Sequence, residues 1–155
     1  MKVYRQARDY TCGPAVVRTI LGLHHLKVPS EAVLMRLLKS TNEHGTHPRR
    51  IAEYLRSEGL HVSINQSTLP ELKGHLRNHN LAILDTALWG GHYVLALDWQ
   101  RREGWQGGMF TLADPAAYCE GRPDGFTYVA GANLDGLWFD PIPPTTKRLA
   151  IYVKL

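Results

Sequence analysis

Residues 12–23 read CGPAVVRTILGL, and this stretch decides the first half of the fold. It predicts a helix that begins at Thr11 or Cys12, because Pro14 falls in the first turn, where its missing N–H costs nothing. Apolar side chains then recur at the spacing of one buried helix face, namely Val16, Val17, Ile20 and Leu21. Three more helices are predicted further along, over residues 31–38, 48–60 and 71–80, each after a Pro, Ser or Thr that suits a helix start.

The period of the sequence changes after residue 80. Four segments alternate and are rich in β-branched and aromatic residues, which predicts strands: LAILDTAL (81–88), GGHYVLALDW (90–99), MFTLADP (109–115) and RLAIYVKL (148–155). HVSIN (61–65) is a shorter candidate, and RREGWQGG (101–108) is a predicted hairpin loop. Residues 116–146 are rich in Gly and Pro, and we expect their aromatic members to attach them to the sheet: Tyr128, Trp138 and Phe139. Helices followed by antiparallel strands predict an α+β fold, as one domain over residues 1–155.

The composition is typical of a soluble globular protein, with 155 residues, 44% hydrophobic and 21% charged. The net charge is +4, but the Lys and Arg residues are scattered, so nucleic-acid binding is not expected. No apolar stretch is long enough to span a bilayer, and the opening MKVYRQARDYTCG lacks the apolar core of a secretory signal. We therefore expect a cytoplasmic protein without membrane insertion, in which the two cysteines form no disulfide.

Cys12 is the first candidate for chemistry. At a helix start, free N–H groups and the helix dipole favour negative charge, which raises the thiolate fraction of a cysteine. Gly13 is expected to leave room beside it for a substrate backbone. The alternative is a small buried hydrophobic side chain, which is the usual role of a free cysteine.

A thiolate nucleophile needs a base, and His92 is the histidine with the most suitable context. It follows Gly90 and Gly91 and opens a predicted strand, so its ring would project from a sheet edge. Asp114 ends the next strand and could hold the second ring nitrogen, provided that the hairpin register brings the two together. The alternatives are a half-buried strand histidine and a common Asp-Pro turn.

An acyl transfer also needs donors for the oxyanion. The N–H of Cys12 is one candidate, and the side-chain amide of Gln6, six residues upstream, is another. Taken alone, Gln6 would be an ordinary surface glutamine.

The run QARDYTCGPA, residues 6–15, resembles the start of the peptidase C39 family and its C39-like relatives, which are papain-like cysteine peptidases. GHYVLAL (91–97) and LADPA (112–116) are similar to that family's histidine and aspartate motifs, in the same order. The resemblance implies a papain-like fold, with N-terminal helices packed on a C-terminal antiparallel sheet. It implies Gln6 as the oxyanion glutamine, Cys12 as the nucleophile, His92 as the base and Asp114 as the group that orients the base.

Two departures accompany the resemblance. The hairpin at residues 101–108 lengthens the His-to-Asp separation, and residues 116–155 lie outside the matching motifs. Family members are often fused to membrane transporters and cut leader peptides after a double glycine. We expect no such fusion here, so the substrate and the preferred cleavage site stay open.

The leading hypothesis is a cysteine peptidase that hydrolyses a peptide bond through an acyl-enzyme on Cys12, acts on a peptide or protein, and needs no cofactor. An acyltransferase or transpeptidase would use the same site, with an amine in place of water. A non-catalytic peptide-binding module with an idle triad is the alternative from another class. The sequence leaves the oligomeric state and the pathway open.

Three other sets of residues have ordinary explanations. A metal site is not expected at the scattered histidines, because they lack companion cysteines at ligand spacing: His24, His25, His44 and His47. Cys119 lies in the Gly/Pro-rich stretch and is expected to be a passive thiol. The four tryptophans, Trp89, Trp99, Trp105 and Trp138, could line a substrate groove, although core and loop packing is the commoner role.

Overall fold

The computed structural model describes residues 1–154, without the side chains of residues 119 and 120. The predicted passive role of Cys119 therefore lies outside the described side chains. Within this part the chain forms five α-helices: α1 (Cys12–Leu23), α2 (Glu31–Leu37), α3 (Pro48–Ser57), α4 (Leu69–Arg77) and α5 (Gly131–Leu137). It also forms eight strands: β1 (Val62–Gln66), β2 (Leu81–Thr86), β3 (His92–Gln100), β4 (Met109–Ala113), β5 (Phe126–Ala130), β6 (Phe139–Asp140), β7 (Thr146–Lys147) and β8 (Leu149–Val153).

The helix starts follow local chemistry. Ser30 caps α2 by accepting a hydrogen bond from the Val33 N–H, and Thr68 forms a reciprocal capping box with Glu71 at the start of α4. At α3 the cap is His47, whose ring nitrogen accepts a hydrogen bond from the Arg49 N–H, and Pro48 occupies the first turn. None of the helices within residues 1–154 is long and apolar enough to cross a membrane.

Six strands form one antiparallel sheet in the order β1-β8-β2-β3-β4-β5, and β6 pairs with β7 beside it. The buried faces of α1, α2 and α3 pack on one side of the six-stranded sheet. Leu72 and Leu76 of α4 and Leu134 of α5 pack on the other side. The predicted α+β class with an antiparallel sheet is confirmed, and helices cover both faces of the sheet.

The register of the β3–β4 hairpin determines which residues lie at the same end of the sheet. Leu95 pairs with Ala113 and Gln100 with Met109, so the loop at residues 101–108 closes the end of the hairpin that is far from His92. The added length between His92 and Asp114 is therefore taken up at the opposite end of the sheet. Both residues stand at the same end, as the sequence hypothesis requires.

Residues 116–146 contain more regular structure than the sequence indicates. They include β5, α5, β6, β7 and a 3-10 turn at Ala117–Glu120. Trp138 is fully buried and donates its indole N–H to the Leu149 carbonyl at 2.8 Å, so it does attach this segment to the core. Tyr128 is 47% exposed, so the expectation that it does the same is wrong.

Candidate active site

A cleft of about 640 Å³ opens at the N-terminal end of α1. One wall is the α2–α3 loop, which contributes Thr41 to Pro48, and the opposite wall comes from residues 140–149. Cys12 lies on the α1 side, and His92 lies at the start of β3. The cleft therefore joins the two residues in which sequence patterns indicated chemistry.

Cys12 is the first residue of α1 and is 5% exposed. The preceding Thr11 does not cap the helix, because its hydroxyl donates to the Arg8 carbonyl at 2.9 Å and accepts from the Arg8 N–H at 3.0 Å. The first N–H groups of α1 are thus without a side-chain cap. Such groups stabilise negative charge at the helix start, which suits a thiolate or an oxyanion.

Gly13 has a different role from the one that the sequence indicates. A Cβ atom built on Gly13 would lie 2.6 Å from Thr46 Oγ1 and 2.8 Å from Thr46 Cβ. The expectation of free room for a substrate backbone beside Gly13 is wrong, because Thr46 already fills that space. Glycine is required here so that the α2–α3 loop can pack against the start of α1.

His92 is held on several sides. Its Nε2 lies 2.7 Å from Asp114 Oδ1, and both side chains are buried. The Thr86 hydroxyl donates to the His92 carbonyl at 2.9 Å, which fixes the backbone. The Trp89 ring meets the imidazole edge-on, with the ring centroids 4.9 Å apart. With Nε2 engaged by Asp114, Nδ1 is the nitrogen available to Cys12.

Asp114 combines two roles that the sequence presents as alternatives. Its Oδ1 accepts a hydrogen bond from the Ala116 N–H at 2.8 Å, as in an Asx turn, and the same oxygen contacts His92. The turn holds the carboxylate in place, so the Asp-Pro sequence gives a rigid support for the imidazole.

The charge state of His92 follows from its neighbours. Burial by itself would lower the pKa of the imidazole, since burial disfavours the charged form. Hydrogen bonds with Asp114 and Cys12, together with the charges of those two side chains, outweigh burial and raise the pKa of His92 to about 9. The arrangement thus favours the imidazolium form of His92.

Gln6 lies close to this group but outside the set of residues that line the cleft. Its backbone N–H donates to the Pro115 carbonyl at 3.2 Å, next to Asp114. Its side-chain amide donates to the Arg8 carbonyl at 2.9 Å, and Oε1 is buried without a hydrogen-bond partner among the described residues. One amide N–H is therefore left for another acceptor.

Several cleft residues escape sequence reasoning. Asp85, the second-last residue of β2, lines the cleft, and so does Asp140 from the C-terminal part of the chain. The Tyr93 hydroxyl donates to the Thr46 carbonyl at 2.9 Å and so anchors the α2–α3 loop. A charged residue at the end of an otherwise apolar run is a signal for Asp85, but the contact between Tyr93 and Thr46 leaves no local signal.

The scattered histidines do not come together. His24 follows the last residue of α1, whereas His44 and His47 line the cleft at the start of that helix. Twelve helical residues separate the two ends by roughly 18 Å. Within residues 1–154 no group of three or more His, Cys, Asp or Glu side chains is arranged to hold a metal ion. Among the tryptophans, Trp89 lines the cleft and Trp138 is in the core.

The sequence matches the model of the Peptidase C39 family over residues 1–118. None of the curated protein sequences matches the chain at a significant level.

Solved structures match the fold over nearly the whole chain. The peptidase domain of Streptococcus ComA, described as a bi-functional ABC transporter involved in quorum sensing, has 19% identity and a TM-score of 0.74, and the match covers 98% of this chain and 96% of that one. A double glycine motif protease from an AMS/PCAT transporter, in complex with its leader peptide, has 14% identity and a TM-score of 0.72, with 99% and 91% covered. The peptidase domain of Streptococcus mutans ComA has 17% identity and a TM-score of 0.62, with both chains fully covered.

Proposed function

Because the chain belongs to the peptidase C39 family and is a cysteine peptidase, we propose that it hydrolyses a peptide bond through an acyl-enzyme on Cys12. His92 acts as the base, Asp114 orients His92, and Gln6 supports the oxyanion. The observation that carries this proposal is the buried contact of 2.7 Å between His92 Nε2 and Asp114 Oδ1, next to Cys12 at the start of a helix.

In the first half of the reaction the Cys12 thiolate attacks the scissile carbonyl carbon, and the carbonyl electron pair moves onto oxygen. When the tetrahedral intermediate collapses, the C–N bond breaks and the leaving amine takes a proton from His92 Nδ1. The products of this half are a thioester on Cys12 and the free amine fragment. A raised pKa of His92 favours this step, because the imidazolium must be present when the amine leaves.

In the second half water attacks the thioester carbonyl. His92, now neutral, accepts the proton of that water, and the Cys12 thiolate leaves. This releases the acid fragment and restores the thiolate–imidazolium pair. Asp114 keeps the ring in one orientation through both halves by accepting the Nε2–H.

The oxyanion needs donors that are present before the charge develops. The Cys12 N–H is at the uncapped start of α1, where the helix dipole adds to its effect. For Gln6 we propose that the amide N–H not used by Arg8 is the second donor.

The substrate is a peptide or a protein. A peptide is supported by the structural neighbour that was solved with a leader peptide bound. The cleft of about 640 Å³ is large enough for several residues of an extended chain.

The first test separates the nucleophile from the other thiol. Alkylation by iodoacetamide at pH 7, followed by peptide mass spectrometry, measures the alkylation rates of Cys12 and Cys119 separately. We expect Cys12 to react at least about tenfold faster in the wild-type protein than in His92→Ala, because the variant lacks the base that takes the proton of the thiol. His61→Ala, which removes an exposed histidine, is the matched control and should leave the rate unchanged. Equal and slow alkylation of Cys12 in all three proteins would contradict the proposed activation.

The second test is hydrolysis of a mixture of synthetic peptides, followed by mass spectrometry of the products. Cleavage that is abolished in Cys12→Ala, with the fold intact by circular dichroism, is the expected result. Cleavage that persists in Cys12→Ala would assign the activity to another site or to a contaminant.

Two broader statements stay predictions. A single domain over residues 1–155 predicts that limited proteolysis leaves the chain whole. A cytoplasmic location predicts recovery of the protein in the cytoplasmic fraction of its native cells.

A further inference from the structure

Asp85 is a buried carboxylate that the proposed mechanism does not use. It is the second-last residue of β2, is 6% exposed and lines the same cleft as Cys12 and His92. Four buried residues precede it in this strand, all of them apolar: the strand reads LAILDT. A carboxylate in such surroundings is costly unless a partner compensates its charge.

The groups around Asp85 do not provide that partner. Tyr93 is its neighbour across the β2–β3 ladder, but the Tyr93 hydroxyl gives its single proton to the Thr46 carbonyl at 2.9 Å. Within residues 1–154 no hydrogen bond that meets ordinary geometric criteria ends on the Asp85 carboxylate, and no Lys or Arg forms an ion pair with it.

A second carboxylate stands close by. Asp140, on the opposite wall, also lines the cleft, and its Oδ1 accepts a hydrogen bond from the Ile142 N–H at 2.8 Å. Burial first, and then the charge of Asp140, raise the pKa of Asp85 to about 7, while Tyr93 and His92 act in the opposite direction. Two carboxylates thus line one space, and neither forms an ion pair with a Lys or Arg of the described chain.

We propose that Asp85 and Asp140 form a subsite for a basic side chain, arginine or lysine, of the peptide substrate close to the scissile bond. The inference rests on the proposed peptide hydrolysis. A guanidinium or ammonium entering between the carboxylates supplies the donors that Asp85 lacks and removes their repulsion. A neutral side chain of the same shape would leave Asp85 buried without a partner, and an acidic one would add a third negative charge.

The subsite is close to the reacting atoms. The charges of Cys12, Asp85 and Asp140 all act on the Tyr93 hydroxyl, and the charge of His92 acts on Asp85. One residue of an extended peptide spans about 3.5 Å, so the basic side chain belongs to a residue within a few positions of the cleaved bond.

The decisive experiment compares arginine with citrulline, which has the same shape without the charge. A set of peptides built around a cleaved sequence carries one or the other at each position near the scissile bond in turn. At one position at least, we expect kcat/KM of the wild-type enzyme to be about tenfold or more higher for arginine. A parallel set with lysine and norleucine tests the ammonium, and acetylated peptides exclude a contribution of the terminal amine.

The variants assign the preference to the two carboxylates. Asp85→Asn and Asp140→Asn should each reduce the ratio of arginine to citrulline, mainly by lowering kcat/KM for the arginine peptide. Asp98→Asn removes one negative charge six residues along β3 from His92, roughly 20 Å away, and should leave the ratio unchanged. Equal hydrolysis of arginine and citrulline peptides at every position, or a preference that survives in both variants, overturns the inference.

Binding distinguishes this failure from failure of the proposed function. Cys12→Ala cannot form an acyl-enzyme, so fluorescence anisotropy measures the affinity of the same peptides without turnover. If no peptide is hydrolysed, the proposed function fails, whereas tighter binding of arginine peptides that is lost in Asp85→Asn still supports the subsite. Equal affinity for arginine and citrulline peptides, or no binding at all, overturns it.

Discussion

Replacement of Asp114 by asparagine tests the electrostatic core of the proposed site. Asparagine keeps the size of the side chain and an oxygen that can accept from His92 Nε2 and from the Ala116 N–H. The substitution therefore removes the negative charge and leaves the shape of the turn almost unchanged. The expected effect is on the proton that His92 carries.

The magnitude follows from the surroundings of the imidazole. The pKa of His92 is raised from 6.5 to about 9, which corresponds to about 3 kcal/mol in favour of the imidazolium in the folded protein. Asp114 and Cys12 share this effect against the cost of burial. An adjacent opposite charge commonly moves a pKa by about 1 to 3, so Asp114→Asn should lower the pKa of His92 by more than about 1.

The sign of the stability change is also defined. Because the folded-state pKa of His92 lies above its unfolded value, protonation stabilises the fold fully below about pH 6.5, and this contribution is lost as the pH rises through about 9. In Asp114→Asn the loss should occur at lower pH. The free energy of unfolding of the variant should therefore lie furthest below that of the wild-type protein at pH 5.5, by less at pH 7.5 and by least at pH 9.5.

Two assays measure the outcome. The basic limb of the kcat/KM profile should lie near pH 9 in the wild-type enzyme and at least about one pH unit lower in Asp114→Asn. Urea unfolding at pH 5.5, 7.5 and 9.5 gives the stability side, with Asp98→Asn as the control for a lost carboxylate elsewhere. A basic limb at the same pH in both enzymes would refute the claim that Asp114 holds His92 protonated.

Two further predictions concern packing and support of the site. Gly13→Ala should lower the free energy of unfolding by about 1–3 kcal/mol in thermal or urea melts, because the new methyl group would lie 2.6 Å from Thr46 Oγ1. Gly74→Ala, in a helix with open space around it, is the matched control and should be neutral or stabilising, and equal effects of the two would contradict the packing argument. Glu31→Ala should reduce kcat more than it raises KM. The Glu31 carboxylate accepts the N–H of Ala7 at 3.1 and 3.2 Å and so holds the segment that carries Gln6, the proposed oxyanion donor. An effect on thermal stability with kcat unchanged would limit Glu31 to a structural role.

Much of the fold could be predicted because its local signals are strong. The helix starts at Ser30 and Thr68 carry capping residues that act over three positions, and the strands from residue 81 onward alternate clearly. The C-terminal segment could not be predicted in the same way. Its elements, α5 and the short β6–β7 pair, are brief, and they are held by contacts such as the bond from Trp138 to the Leu149 carbonyl.

The candidate site also has a part that the local sequence predicts. The order of the four residues is readable from the sequence. Cys12 stands at a helix start, His92 at a strand start and Asp114 just after a strand, whereas Gln6 is recognised only by its place six residues before Cys12. Cys12 at the first position of α1 needs no information beyond the local sequence. The roles of these four residues stay predictions until the alkylation and hydrolysis tests are done.

Only the tertiary structure could decide what surrounds them. The hairpin register places Asp114 beside His92, Thr46 closes the space next to Gly13, and residues beyond the C39 match supply one wall of the cleft. Asp85 faces Asp140 across 54 intervening residues, and no local pattern links them. The physical reason is that capping and periodicity act over a few residues, whereas desolvation and charge pairing depend on distances in space that only the folded chain sets.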